Sequence, residues 1–61
     1  MSDIKSILIE RDGLTEEEAK ARINEARQQL HEYISRGEMH SAEDICSEYF
    51  GLEPDYLFEL I

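Results

Sequence analysis

Residues 15–37, TEEEAKARINEARQQLHEYISRG, decide how this chain folds. Thr15 with Glu18 three residues later is the pattern of a capping box: the hydroxyl accepts from an unpaired amide of a helix's first turn, and the carboxylate accepts from the cap's own amide. Glu16, Glu17 and Glu18 suit the positive end of a helix dipole. Beyond them Ala19, Ile23, Ala26, Leu30, Tyr33 and Ile34 recur at intervals of three and four. At about 100° per residue this draws a single apolar stripe. The spacing predicts a helix ending near Arg36-Gly37, about 20 residues and about 30 Å from its start. Glu16 with Lys20, Glu18 with Arg22 and Glu32 with Arg36 are acid-first i, i+4 pairs, expected to support the helix from outside.

Toward the amino end, Ile4, Ile7 and Leu8 share one face of a shorter helix, with Ser2 the expected N-cap and Asp12-Gly13 the stop. Ile7-Leu8-Ile9 alone would also suit a strand, but nothing else in the chain alternates at period two, so a strand would have no partner. Toward the carboxyl end, Ser41 with Asp44 repeats the capping pattern. Ala42, Ile45, Cys46, Tyr49 and Phe50 then form an apolar face opposite Glu43, Asp44, Ser47 and Glu48. Gly51 ends that helix. Pro54 stands at a first helical position and opens a fourth, with Tyr56, Leu57, Leu60 and Ile61 available to the core. The expectation is an all-α single domain over residues 1–61: a small bundle of one long helix and three short ones, the last two forming a hairpin.

The chain has 61 residues, of which 41% are apolar, enough for one compact core and no second domain. A lone cysteine, Cys46, cannot form an internal disulfide, which fits a reducing compartment. The apolar runs fall far short of the roughly 18 residues of a membrane span, and Met1-Ser2-Asp3 lacks the basic, then apolar, opening of an export signal. The expected location is the cytoplasm, with no membrane association.

The charge is large and uneven. Six Lys and Arg against 15 Asp and Glu give a formal charge of -9 and a pI of about 4.4. Residues 1–36 hold eight acids and all six bases, whereas residues 37–61 hold seven acids and neither Lys nor Arg. Such a surface repels phosphate backbones and anionic membranes and attracts cationic partners.

Residues 41–57, SAEDICSEYFGLEPDYL, resemble a helix-turn-helix unit. Ile45 and Cys46 match the inward residues of its first helix, Gly51 the turn glycine, Leu52 the apolar residue after it, and Tyr56 and Leu57 the buried positions of its second helix. The resemblance implies a DNA-binding regulator or an antitoxin-like component. The outward residues Glu53, Asp55, Phe58 and Glu59, however, include no Arg, Lys, Asn or Gln for a base edge, which argues against nucleic acid as a partner. The stretch EYFGLEPDYL, residues 48–57, also resembles small acidic proteins of bacteriophages and prophages. That likeness implies a bacterial or phage cytoplasmic setting and a helical fold, and carries no catalytic or binding residues with it.

No catalytic constellation is legible, and the chain reads as a non-enzyme without cofactor or metal. His31, His40 and Cys46 lack the paired spacing of a zinc site. Asp12-Gly13-Leu14 placed at the glycine step of a calcium loop puts Leu8 and Ala19 where carboxylates are needed. Cys46, between Ile45 and Tyr49 on an apolar face, reads as a small buried hydrophobe. Two apolar residues, Ile9 and Phe58, fall off the stripes. Phe58, rimmed by Asp55 and Glu59, has the character of an aromatic anchor. The resulting expectation is a small acidic interaction or regulatory protein whose Glu48, Glu53, Asp55, Phe58 and Glu59 contact a basic protein surface, a DNA-mimicking inhibitor being one form, or a second copy in a homodimer. Mutual repulsion of the carboxylates predicts marginal stability, improved by association, salt and mild acid.

Overall fold

Thr15 starts the long helix as its spacing predicts. In the computed structural model, which describes residues 3–60, Thr15 Oγ1 accepts from the Glu18 amide at 3.1 Å and Glu18 Oε1 accepts from the Thr15 amide at 2.9 Å. The helix that follows, α2 (Glu16–Ser35), is 20 residues long and accounts for most of the molecule's 33 Å length. It closes in a Schellman turn: the Glu38 amide donates to the Tyr33 carbonyl at 2.8 Å and the Gly37 amide to the Ile34 carbonyl at 3.1 Å. Gly37 sits at φ 76°, a left-handed conformation that a side chain would strain.

Helix α1 (Ile4–Asp12) packs along α2 through Ile4 and Leu8, both fully buried. Its cap is Asp3, whose Oδ1 accepts from the Ser6 amide at 2.8 Å; the expected cap, Ser2, lies outside the described residues. From α2 the seam takes Ala19, Ala26 and Leu30, all buried, with Ile23 and Tyr33 half-buried beside them. Two of its three innermost residues are alanines, so neighbouring helices can approach the α2 backbone closely. Ile34, at the edge of the stripe in the last turn, is 45% exposed. Ile9, which the α1 stripe did not accommodate, is half-buried against the core.

The chain beyond Gly37 departs from expectation in two places. The anticipated third helix is divided into α3 (Met39–Glu43) and α4 (Ile45–Phe50), with Asp44 at the break. The hydrogen-bond ladder crosses it, from the Asp44 amide to the His40 carbonyl and from the Glu48 amide to the Asp44 carbonyl. Ser41 is not the cap but lies inside α3. The Schellman turn delivers the chain straight into the helix, where the Ala42 amide bonds the Glu38 carbonyl at 3.1 Å, leaving no loop before Ser41 for it to terminate. Gly51 does end α4, at φ 66°, with its amide on the Ser47 carbonyl at 3.0 Å.

The second departure is the segment Pro54–Glu59, a 3-10 helix rather than the expected fourth α-helix. Pro54 holds its first position as anticipated, but no side chain caps it, and its end closes through an i→i+3 bond from the Leu60 amide to the Leu57 carbonyl at 2.9 Å. Unlike α3 and α4, which are as short and equally uncapped, the segment has no fully buried residue of its own to hold it at α-helical pitch. The fold is thus all-α, with five helices among the described residues instead of four, and the last arm of the helix-turn-helix resemblance is a single-file 3-10 strap.

The outer ion pairs also differ from the sequence reading. None of the three anticipated i, i+4 pairs closes among the described residues. Glu16 Oε1 meets Lys5 Nζ of α1 at 2.9 Å, Glu18 is occupied by its own cap, and Arg36 Nη1 leans to Glu38 at 3.7 Å. Lys5 reaches Glu16 from the neighbouring helix and Thr15 holds Glu18 at the cap, so Lys20 and Arg22 are left without those partners.

Four carboxyls are held below their ordinary range: Asp3 by the Ser6 amide, Asp12 by Arg11, Glu16 by Lys5 and Glu18 by the Thr15 amide. The unfolded chain therefore binds more protons than the folded one as pH falls through the usual carboxylate range, about 4, and stability is lost there. This opposes the stabilisation by mild acid expected from repulsion alone. Urea unfolding is expected to show a midpoint that falls steadily from about pH 5 to pH 3; a midpoint that rises over this interval would show that relief of repulsion dominates. In the same assay Thr15→Ala is expected to cost about 1 kcal/mol through the lost cap.

Candidate interaction surface

The 3-10 strap has no fully buried residue of its own, so what holds it is at its end. Leu60, directly after it, is completely buried, and its carbonyl accepts from Arg27 Nε of α2 at 3.2 Å. Glu59 Oε1 accepts from the amide of Ile4, the first residue of α1, at 2.9 Å. With Asp3 on the Ser6 amide, two carboxylates thus occupy the positive end of the α1 dipole, one local and one from the far end of the chain.

This clasp divides the residues that sequence reasoning grouped together. All five, Glu48, Glu53, Asp55, Phe58 and Glu59, are exposed. Side chains three apart in a 3-10 helix eclipse one another, so Asp55 and Phe58 share one edge of the strap, with Glu53 immediately before it. Phe58 is 83% exposed, the most exposed large hydrophobic side chain among the described residues. Glu59 is turned toward α1, where it is a structural clasp as well as a surface charge. Glu48 lies on α4 near Tyr33, whose hydroxyl is pushed up by burial first and by Glu48 next. The strap therefore sets Asp55 and Phe58 on one edge, with Glu53 just before it, and Glu48 belongs to a neighbouring face.

The remaining candidates separate by burial. His31 and His40 are exposed, Cys46 is fully buried, and no cluster of three His, Cys, Asp or Glu among the described residues could hold a metal. Burial, then the nearby Glu59 charge, raises the Cys46 thiol, which keeps it protonated and unreactive. Sequence reasoning missed two features. Arg27 serves as the anchor of the strap, and an open cleft of about 260 Å³ lies between α2 and α4, lined by Glu25, Gln28, Gln29, Glu32 and Tyr49. The first four fall at i, i+3, i+4 and i+7, a polar helical face whose spacing was available to be read.

No protein-family model, no curated protein and no solved structure matches this chain.

The geometry of the clasp makes Cys46 a reporter of its opening. Leu60→Ala is expected to cost about 2–5 kcal/mol and to accelerate modification of Cys46 by a maleimide, and Glu59→Ala to accelerate it as well. Phe58→Ala, at an exposed position, is expected to stay within about 0.5 kcal/mol of the parent. Labelling rates unchanged in both clasp variants would show that the strap does not guard the thiol.

Proposed function

We propose that this chain is a non-enzymatic interaction protein whose acidic carboxyl-terminal half binds a positively charged protein. One observation carries the reading: residues 37–61 expose all seven of their acids, contain neither Lys nor Arg, and set Phe58 at 83% exposure among them. An exposed aromatic edged by carboxylates combines an anchor that excludes water with a field that attracts cations. The hairpin of α4, Gly51 and the strap is the presenting unit. Glu53, Asp55 and Phe58 form the contact group, Glu48 extends it, and Glu59 holds the strap in place. The resemblance of residues 48–57 to small acidic phage and prophage proteins supports a bacterial cytoplasmic setting. The same charge makes duplex DNA a poor partner, because each approach to a phosphate would be repulsive.

The test is capture of a partner by the tagged chain, followed by affinity measurements with that partner purified. Binding is expected to weaken by at least about tenfold between 50 and 300 mM salt, as screening shortens the reach of the charges, and to be lost in the Glu53→Lys, Asp55→Lys double variant. Phe58→Ala is expected to accelerate dissociation. Salt-insensitive binding would sink the proposal, as would retention of duplex DNA in a low-salt gel shift. Light scattering on the isolated chain separates the remaining occupant, since a dimer dissolved by Phe58→Ala would assign the patch to a second copy.

A further inference from the structure

We infer that the cleft between α2 and α4 is a seat for an arginine side chain of the basic partner. The inference deepens the proposed function and rests on it for the chemistry of that partner, but it uses a different face of the molecule. Glu25, Gln28, Gln29 and Glu32 stand on four consecutive positions of one α2 face, and Tyr49 of α4 forms the facing wall. At about 260 Å³ the cleft is smaller than the roughly 300–1,000 Å³ of small-molecule sites, and suits the end of one long side chain.

The lining selects the ligand. It holds two carboxylates, two amides and a phenol and no cation, so an anion has no counter-charge there. Neither Glu25 nor Glu32 has an ion-pair partner within 4 Å among the described residues. Arg36, one turn beyond Glu32, is drawn instead to Glu38 at 3.7 Å. Two carboxylates in the lining are too few for a metal, in keeping with the absence of a three-ligand cluster among the described residues.

Guanidinium fits better than ammonium. Its planar fork offers several donors at once to carboxylate and amide oxygens, and its face stacks on an aromatic ring, whereas an ammonium presents a compact, strongly hydrated charge. Tyr49 is half-buried, its ring centroid 6.4 Å from that of Phe50 at a 59° tilt, and Phe50 is locked in the core at 2% exposure. The seat thus lies between two packed helices, with an aromatic ring on one side and carboxylate and amide oxygens on the other.

The experiment is a ¹H–¹⁵N NMR titration of the full chain with a short capped peptide, Gly-Arg-Gly, and its Gly-Lys-Gly counterpart. The expected result is a set of shifts centred on the side-chain amides of Gln28 and Gln29 and on Tyr49. The arginine peptide should bind several-fold more tightly than the lysine one, and Glu25→Gln with Glu32→Gln should weaken it by at least about tenfold. Glu53→Gln with Asp55→Asn removes the same charge elsewhere and is expected to weaken it less than about threefold. These exposed acid-to-amide changes keep side-chain size, and each variant's own spectrum verifies the fold. Shifts centred on residues 53–59, or equal losses in the two double variants, would overturn the seat and leave the acidic-surface reading standing. Equal binding of the two peptides would overturn the guanidinium assignment, and no shifts at low salt would overturn the seat while the acidic-surface reading stands on its own salt-dependence test.

Discussion

The narrow apolar seam of α2 is the constraint on which the rest of the structure depends. Ala19, Ala26 and Leu30 are its fully buried members, and α1, α3 and α4 all lie against the helix that carries them. Small side chains in the seam let these short elements come close, and closeness matters because none would be stable alone at five to nine residues. Among the described residues no polar side chain is buried, and no buried side-chain polar atom lacks a partner. All the stabilising specificity of charge is therefore spent at helix ends and at the boundary between elements, where Lys5, Arg27, Asp3 and Glu59 act.

That distribution explains how so acidic a chain divides its labour. In residues 1–36 four of the eight carboxylates meet amides or cations: Asp3, Asp12, Glu16 and Glu18. In residues 37–61 only Glu59 is committed to the fold by a hydrogen bond and Glu38 by a loose ion pair. Carboxylates that hold the fold are thus a larger share in the first half than in the second. The cleft on α2 lies between these regimes, since Glu25 and Glu32 belong to the balanced half yet lack an ion-pair partner.

What could be read from the sequence was what depended on near neighbours. The Thr15–Glu18 box, the stops at Gly37 and Gly51, the α2 stripe and the burial of Cys46 all follow from relations within a few residues. Ser41 failed as a cap for a reason just outside its own window: the turn after α2 runs directly into the next helix. The strap failed as an α-helix because its tether lies at Glu59 and Leu60, on partners 55 and 33 residues away. The same distance hid the double role of Glu59, which looked like surface charge, and of Arg27, which looked like one polar residue among many. Of the candidate surface, the acidity and the exposed Phe58 were legible, while its separation into a strap group, a clasp and a neighbouring face was not.

The hydrogen bond from Ile4 to Glu59 joins residues 55 apart, and so shapes the order of folding as well as the folded state. Most contacts here are helical and local, the kind that forms in microseconds to milliseconds. Closing a loop of nearly the whole chain is the entropically dearest step, and its reward arrives only after α1 and the α2 seam exist to receive it. Loop-closure entropy therefore favours assembly around α2 before the ends meet, and opening of the Ile4–Glu59 clasp before loss of the central helix.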